Sequence, residues 1–498
     1  MASRDTRIKS RLAALGATRM PLNVIDLFAG CGGFSLGFAA AGFRILAGLE
    51  SESVRAQTFY SNLRPSLVGI ADPSTDITVT RPAQFLARFR VEGEYVDGIL
   101  GGPPCQAYAR VGRAKLREVA GSVNAYAEDA RGRLYERYLD YIEELAPLFV
   151  VMENVPDMLS VSGRNLACQV ATQLEEMGYR TRYTLLNAAG YGVPQLRERL
   201  FLIGIHRTVG VIPSFPAPTF NATIPAGFTG TRSAALRALR ETLSPDPHLV
   251  PLPDYSRPAH AAVTAAEALS DLPRVGTALR AAGRGPRDLS LVLPYHSSFQ
   301  NAYQREMRRW CGLATRAKVS ANASRYLPRD FPIFARMAEG DDYPKALAVA
   351  ERLFEEEVAR RSSTLGRSLD PGELRLLRKE IVPGYDGTKF PNKWRKLERN
   401  APARTLMAHL SHDSYTHIHY DSDEARTITV REAARLQSFP DGFQFEGAMN
   451  AAFAQIGNAV PPLLAQAIGG HLLRELRHAF GERFARTEAE SGQVAHLR

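Results

Sequence analysis

Short apolar runs alternate with glycine-rich turns and with stretches of helical spacing in the first part of the chain. The runs occupy residues 24–28, 43–49, 96–100 and 148–152. Short runs of this kind, bounded by turn or polar residues, are typical of strands buried on both faces of a parallel sheet. Because helical stretches separate the runs, the pattern predicts an α/β domain with a doubly wound, mostly parallel sheet.

The second half of the chain has a different composition. Prolines are frequent over residues 213–253, and charged stretches with helical spacing follow. Regularly spaced apolar residues return at 427–439 and 455–473. We therefore predict a second, smaller domain. The predicted division is a basic arm over 1–20, the α/β domain over 21–207, the second domain with insertions over 208–400, a return segment over 401–444, a C-terminal helix completing the first domain over 445–480, and a tail over 481–498.

The charge balance bears on partners. The 498 residues include 62 Lys and Arg against 52 Asp and Glu, which gives a formal net charge of +10. Such an excess favours a polyanionic partner such as nucleic acid. No apolar stretch approaches the roughly 20 residues that cross a bilayer, so we expect no membrane span.

Cysteine usage and the N-terminal segment indicate the compartment. The four cysteines form neither a dense disulfide pattern nor a C-x-x-C metal pair, which fits a reducing cytoplasm. Residues 1–20 are basic, and their apolar piece is too short for a signal peptide. We expect a disordered basic arm there, with an organelle transit peptide as the alternative.

A glycine loop follows the first predicted strand. Gly30, Gly32 and Gly33 lie between that strand and a helix, and Glu50 comes 20 residues after Gly30, at the end of the next strand. Such a loop admits a ligand close to its backbone, and a carboxylate at this spacing suits ribose hydroxyls. The pattern is not G-x-G-x-x-G, so it favours a nucleoside-type ligand. A structural turn with an incidental glutamate is the alternative.

Cys105 is the candidate nucleophile. It lies in the stretch GGPPCQ, directly after the apolar run that ends at Leu100, and open α/β sheets bind ligands at such strand ends. Most buried cysteines are inert core residues. A catalytic thiol here needs cationic or hydrogen-bonding help, since a free thiol is mostly protonated at neutral pH.

An acid lies at the end of one further apolar run, and two arginines lie just before another. Glu153 comes directly after the run at 148–152, and Arg197 and Arg199 precede another apolar run. The two arginines are two residues apart, so on an extended strand they share a face. Each feature alone has a structural explanation. Together with Cys105 they place a nucleophile, an acid and paired guanidinium groups at successive strand ends.

At this point the sequence resembles the cytosine-5 DNA methyltransferases, whose motifs it carries in the family's order. The matching stretches are 26–34 (DLFAGCGGF), 102–106 (GPPCQ), 153–155 (ENV), 195–199 (QLRER), 429–437 (TVREAARLQ) and 455–462 (QIGNAVPP). The resemblance covers residues 22–207 and 388–475. It implies a Rossmann-like, class I S-adenosylmethionine-dependent methyltransferase domain, with 208–400 as target recognition domain and 401–444 containing the hinge.

The resemblance also implies a site for S-adenosylmethionine. Phe28 is expected against the adenine, Glu50 on the ribose, Asp76 on the adenine amino group, with Asp72 as the alternative, and Asn458 closing the pocket. The cofactor-binding residues implied are Phe28, Gly30, Cys31, Gly32, Gly33, Glu50, Asp76, Ile77, Pro104, Asn458 and Ala459. Cys31 is expected as a packing residue of the loop and not as a second nucleophile.

The catalytic roles follow from the same resemblance. The Cys105 thiolate attacks carbon 6 of cytosine, because carbon 5 is otherwise a poor nucleophile. Glu153 holds nitrogen 3 and the exocyclic amine, Arg199 holds the ring oxygen, and Arg197 positions the active-site loop or a phosphate. The base must leave the duplex to reach these groups. The DNA-binding residues implied are Gln106, Arg110, Arg113 and Gln195.

The resulting hypothesis is a monomeric, cytoplasmic enzyme that methylates duplex DNA, with a cognate restriction endonuclease acting on the same site. Methylation of RNA cytosine and a catalytically silent binding module are the alternatives. The cluster of His409, His412, His417 and His419 does not have zinc-ligand spacing, so no metal is expected.

Overall fold

The computed structural model describes residues 4–17, 20–64, 73–104, 134–161, 164–223, 246–283, 288–310, 312–386 and 393–495. The strands are β1 Asn23–Leu27, β2 Arg44–Leu49, β3 Gly98–Gly101, β4 Phe149–Asn154, β5 Tyr179–Asn187, β6 Gln195–Leu196, β7 Glu198–His206, β8 Phe220–Asn221, β9 His260–Ala261, β10 Leu293–Pro294, β11 Lys318–Val319 and β12 Ala403–Arg404. The helices are α1 Arg4–Ala17, α2 Gly33–Ala41, α3 Ser53–Leu63, α4 Pro82–Arg88, α5 Leu134–Leu145, α6 Leu166–Glu176, α7 Ala265–Leu269, α8 Gly276–Ala281, α9 Ala302–Arg309, α10 Phe331–Arg336, α11 Tyr343–Leu365, α12 Pro371–Ile381, α13 Val430–Leu436, α14 Met449–Asn458 and α15 Pro462–Ala495.

The chain forms two compact units. Unit 1 comprises Met1–Gly192, Leu196–Ala261 and Ala459–Arg498, and unit 2 comprises Val193–Gln195 and Ala262–Asn458. The division thus falls later than the boundaries predicted after residues 207 and 444. One reason is that residues 248–250 hydrogen-bond to the edge strand β5, where Tyr183 N donates to His248 O.

Unit 1 is built on a six-stranded sheet in the order β2-β1-β3-β4-β7-β5. The strands β2, β1, β3 and β4 run parallel, and β7 runs antiparallel between β4 and β5. The four apolar runs of the sequence correspond to β1 to β4, which are buried almost throughout. The predicted doubly wound, mostly parallel sheet is therefore confirmed.

The C-terminal helix packs on the helix of the glycine loop. A Cβ atom on Gly37 of α2 would lie 2.4 Å from both Ala465 Cβ and Pro462 O of α15. Only glycine fits such a close approach. Residues more than 400 positions apart in sequence are thus joined in one core around α2 and α15.

Unit 2 has a hydrophobic core of its own. Trp394 is fully buried, its ring stacks on Tyr415 at a centroid distance of 4.7 Å, and it also contacts Phe334 and Tyr343. The helices α10 and α11 supply most of the remaining apolar contacts. In the described part of both units, no helix is long and apolar enough to cross a membrane.

The N-terminal segment corrects one expectation, because residues 4–17 form the helix α1 and not a disordered arm. Ile8, Leu12 and Leu15 are buried along one side of the helix. On another side, the Arg11 guanidinium donates from Nε and Nη2 to the two carboxylate oxygens of Asp97, each at 2.7 Å. The helix is thereby tied to the residue that precedes β3.

Replacement of Arg11 by Met is expected to lower the free energy of unfolding by roughly 2–4 kcal/mol. The reason is that the Asp97 side chain is fully buried and would keep only the hydrogen bond from Asn23 N. Urea unfolding of Arg11→Met measures the change. Arg7→Met, an exposed position on the same helix, should change stability by less than about 0.5 kcal/mol. Equal stabilities of the two variants would contradict the role given to the Arg11–Asp97 pair.

Candidate active site

The carboxyl ends of β1, β3 and β4 meet at one edge of the unit 1 sheet. The strand β1 is flanked by β2 on one side and β3 on the other, so the chain winds in opposite directions from it. Ligands of open α/β sheets bind at the strand ends beside such a reversal. The glycine loop follows β1 at this edge, and residues 102–104 follow β3.

The glycine loop has a left-handed backbone at several positions. Phe28 has φ 62°, Gly30 55° and Gly32 98°. At Gly32 the φ of 98° strains any residue other than glycine, and a Cβ atom there would also lie 2.6 Å from Leu63 Cδ1, whereas one on Gly30 would meet no atom within 4 Å. The loop is therefore closely packed beneath Gly32 and open above Gly30.

Glu50 ties the end of β2 to this loop. Its carboxylate accepts hydrogen bonds from Gly30 N at 3.0 Å and from Glu52 N at 2.9 Å. Burial raises the pKa of Glu50, while these hydrogen bonds and nearby Arg55 oppose the rise. The carboxylate thus fixes the loop and still lies at the strand edge, where the sequence predicts contact with a ribose.

The segment that carries Asp76 lies beside Glu50, because Thr75 N donates to Glu50 O at 2.7 Å. Asp76 is exposed, and its Oδ1 accepts from the backbone N and the hydroxyl of Thr78, both at 2.8 Å. The side chain of Ile77 is buried. The structure therefore brings Asp76 to the Glu50 side of the glycine loop.

Asp26 is a buried acid beneath the loop that the sequence reasoning missed. The Ser35 hydroxyl at the start of α2 donates to Asp26 Oδ2 at 2.7 Å. Burial raises the pKa of Asp26 to about 7, although the hydrogen bonds from Ser35 lower it. The sequence signal that could have found it is an acid within an otherwise apolar strand.

Asp26 should make the stability of the protein depend on pH. Since its pKa is higher folded than unfolded, the folded state binds more protons between about pH 4 and pH 7, and stability falls as pH rises through that window. The limiting slope is about 1.4 kcal/mol per pH unit for one group. Urea unfolding from pH 4.5 to 8 should show a flatter profile for Asp26→Asn. The same slope in Asp26→Asn and wild type would contradict this assignment.

Glu153 and Arg199 form an ion pair at the ends of β4 and β7. Arg199 Nε lies 3.1 Å from Glu153 Oε1, and the two side chains are 15% and 13% exposed. Burial raises the pKa of Glu153, while Arg199 and then Arg197 oppose the rise. Arg197 is fully buried, and this burial holds its pKa well below the ordinary arginine value.

The loop that leads to Cys105 lies against this pair. A Cβ atom on Gly102 would be 3.3 Å from Glu153 Oε2, and Asn154 Nδ2 donates to Pro103 O at 3.1 Å. Asn154 is a positioning residue that the sequence reasoning missed, although it lies within the ENV motif. The chain therefore enters the segment of Cys105 directly beside the Glu153 carboxylate.

A sequence profile of the C-5 cytosine-specific DNA methylase family matches residues 22–246 and 300–474, which is most of the chain. The chain belongs to this family. The resemblance drawn from the motifs is thus confirmed, and with it the enzyme class, a DNA cytosine-5 methyltransferase.

Two relatives of this methylase bear the names of type II methyltransferases. One, M.OihORF3336P of Oceanobacillus iheyensis, is 39% identical over 459 residues, which are 91% of this chain and 96% of the relative. The other, M.AgeI of Thalassovita gelatinovora, is 31% identical over 470 residues, covering 90% and 98%. A solved structure of a prophage-encoded DNA modification methyltransferase from E. coli is similar in fold, with a TM-score of 0.58, 21% identity and coverage of 91% and 99%.

Several predicted residues of the methylase lie outside the part that the structure describes. They are Asp72, Cys105, Gln106, Arg110 and Arg113. Cys31 is described and is buried in the glycine loop, and burial raises the pKa of its thiol to about 12. A thiol that stays protonated in this way does not act as a nucleophile.

Gln195 requires a correction, since its placement in the methylase does not fit a DNA contact. The side chain is fully buried. Its Nε2 donates to Leu436 O and to the Gln437 side chain, and its Oε1 accepts from Leu406 N. A side chain with its donors and acceptor satisfied inside unit 2 has a structural role.

Asn458 and Ala459 lie at the end of α14. Asn458 is exposed there, and Ala459 is buried. A Cβ atom on the preceding Gly457 would lie 2.4 Å from Met407 C, so this helix end packs directly on backbone. The position of Asn458 is thus fixed within unit 2.

Proposed function

We propose that this methylase transfers a methyl group from S-adenosylmethionine to carbon 5 of a cytosine in duplex DNA, through a transient bond between Cys105 and carbon 6. The observation that carries the proposal is the Glu153–Arg199 pair, which lies beside the segment leading to Cys105 at the same sheet edge as the glycine loop. An acid, a guanidinium and a nucleophile-bearing loop are the groups that this reaction requires.

The residues of the chain supply the activation of the base. Cys105 Sγ forms a bond to carbon 6, and Glu153 donates a proton or hydrogen bond to nitrogen 3 as charge develops there. Burial raises the pKa of Glu153, which favours its role as a proton donor. Carbon 5 becomes nucleophilic and accepts the methyl group; loss of its proton then breaks the bond between sulfur and carbon 6.

The cofactor site is supported by the shape of the glycine loop. The open space above Gly30 and the Glu50 carboxylate beside it suit a nucleoside. We expect Phe28, Glu50 and Asp76 of unit 1 to hold S-adenosylmethionine. When bound, the cofactor supplies an electrophilic methyl group on sulfur.

Flipping of the target base follows from the burial of the catalytic groups. Glu153 and Arg199 are recessed at the sheet edge, each with no more than 15% of its side chain exposed. A cytosine stacked in a duplex cannot reach such groups. We infer that the base leaves the helix, at a cost of a few kcal/mol that contacts to the DNA must offset.

A surface of unit 2 suits the phosphates of the bound DNA. Arg305 and Arg309 are exposed on α9, and their Cζ atoms lie 5.5 Å and 5.0 Å from the centre of the Phe299 ring. Neither arginine has an ion pair within the described ranges. The neighbouring Arg308 holds the helix in place through Asp271, with Nε 2.8 Å from Oδ2.

The double variant Arg305→Gln with Arg309→Gln should bind DNA about tenfold or more weakly, because each arginine neutralises a phosphate. The slope of log affinity against log salt should fall by roughly 1–2, with cofactor affinity unchanged. Fluorescence anisotropy at several salt concentrations measures both. The matched control replaces Arg352 and Arg375, which are exposed on α11 and α12. An equal loss in both double variants would show that only net charge matters.

The relatives' names support a place in a restriction-modification system, with an endonuclease that cuts the same DNA word when it is unmodified. The test of the proposed function is transfer from S-[methyl-³H]adenosylmethionine to duplex DNA, with tRNA as the alternative acceptor. Bisulfite sequencing of DNA from cells that express the chain then locates the modified cytosine. Label in tRNA alone, or in neither acceptor, would overturn the proposal.

A further inference from the structure

Three arginines surround a cavity at the end of the sheet opposite the active site. The cavity has a volume of about 380 Å³ and is lined by Arg180, Arg182, Arg207, Glu175 and Ile212. Its volume lies within the range of small-ligand sites. All five lining residues belong to unit 1.

The strand register places this cavity away from the catalytic groups. Arg180 pairs with Ile205 of β7, which on its other side pairs with Phe149, the first residue of β4. Glu153 lies four residues further along β4, on the order of 13 Å of strand. A ligand in the cavity is therefore not at the base-binding or cofactor site.

Arg180 and Arg182 share a face of β5, and hydrogen bonds hold Arg182 and Arg207 in place. Arg180 and Arg182 alternate with the buried Thr181, so both lie on the open face of the strand. Arg182 Nη1 donates to Thr181 O at 2.9 Å, and Arg207 Nη2 donates to Glu175 O at 3.1 Å. These bonds hold two guanidinium groups at the cavity and leave most of their N–H donors for a ligand.

The cavity lining has an excess of positive charge, since three arginines face a single carboxylate, that of Glu175. None of the three arginines has an ion pair with another residue that the structure describes, and the carboxylate on the rim, Glu175, lies 3.6 Å from the Nδ1 atom of buried His248. Elsewhere exposed arginines do find carboxylates, for example in the pairs Arg336–Glu356, Arg378–Glu351 and Arg399–Glu339. Like charges gathered around one cavity repel unless an anion binds among them.

We propose that this cavity is a second binding site, for a phosphate-bearing ligand. Guanidinium groups bind phosphate oxygens through paired N–H donors, and several together favour a group with more than one charge. Ile212, which is 57% exposed, gives the cavity an apolar wall against which the sugar or base of a nucleotide packs. The same chemistry is offered by a free nucleotide and by the backbone of a nucleic acid.

Isothermal titration calorimetry on the full chain tests the site. The probes are inorganic pyrophosphate, dTDP and a short duplex of A·T pairs only. Pyrophosphate and dTDP contain no adenosine that would occupy the cofactor site. The duplex contains no cytosine that would enter the active site. The test variant is Arg180→Gln with Arg182→Gln, and the control is Arg352→Gln with Arg375→Gln, which removes the same charge elsewhere.

A loss of about tenfold or more in affinity for pyrophosphate and dTDP, in the Arg180/Arg182 variant only, supports a free phosphorylated ligand. A loss confined to the duplex supports the same site with a nucleic-acid backbone as the source of phosphate. The proposal is overturned if the wild type binds none of the probes, if the Arg180/Arg182 variant binds all of them unchanged, or if both double variants lose affinity equally.

Discussion

Cys105→Ala is expected to abolish methyl transfer to DNA, with a fall of more than about 10⁴-fold in kcat. Without the thiol, carbon 5 of cytosine is not activated, because no bond forms at carbon 6. Transfer of labelled methyl groups under single-turnover conditions measures the loss. Cofactor and DNA affinities should stay close to those of the wild type, since the substitution removes only the sulfur atom.

The matched control for this substitution is Cys168→Ala. Cys168 lies on α6, is partly exposed, and is outside every motif of the site. It should retain full activity. A Cys105→Ala enzyme that turns over at the wild-type rate, or a Cys168→Ala enzyme that loses activity as completely, would contradict the assignment of the nucleophile.

The second large effect is expected for Glu153→Gln, with a fall of about 10²- to 10⁴-fold in kcat. Glutamine keeps the size of the side chain and hydrogen-bonds the base but cannot give a proton to nitrogen 3. Burial raises the pKa of Glu153, so the wild-type rate should fall as pH rises through that pKa and the acid loses its proton. A pH profile of kcat for both enzymes measures this, and the fall of the rate with rising pH should be absent in Glu153→Gln.

Glu176→Gln is the control for that experiment, because Glu176 is an exposed residue at the end of α6. It should follow the wild-type profile. A Glu153→Gln enzyme whose kcat is unchanged, and whose kcat still falls with rising pH as in the wild type, would show that Glu153 only supports Arg199. Reduced DNA affinity at an unchanged kcat would lead to the same conclusion.

The strands around the site could be predicted because a strand buried on both faces appears in the sequence as a continuous apolar run. Continuous apolar runs at 24–28 and 148–152 correspond to β1 and β4. The helix α1 was missed for a different reason, since Ile8, Leu12 and Leu15 do have helical spacing. The basic composition of that segment suggested disorder, but the Arg11–Asp97 pair across 86 residues stabilises it.

The individual contacts of the site were harder to predict than its members. The sequence placed Glu50 at the glycine loop but did not show that Gly30 N donates to it. The hydrogen bonds of Asp26 with Ser35 and of Asn154 with Pro103 depend on side-chain directions that spacing does not determine. For Gln195, proximity to two functional arginines suggested a DNA contact, whereas its partners come from residues more than 200 positions later.

The bond between Cys105 and the base is tested most directly by incubation with S-adenosylmethionine and duplex DNA that contains 5-fluorocytosine at the methylated position. The fluorine cannot leave as a proton does, so the account predicts a stable adduct of one enzyme per duplex, with peptide mapping placing the DNA on Cys105. An enzyme that methylates ordinary DNA without forming this adduct, or an adduct that persists in Cys105→Ala, would contradict it.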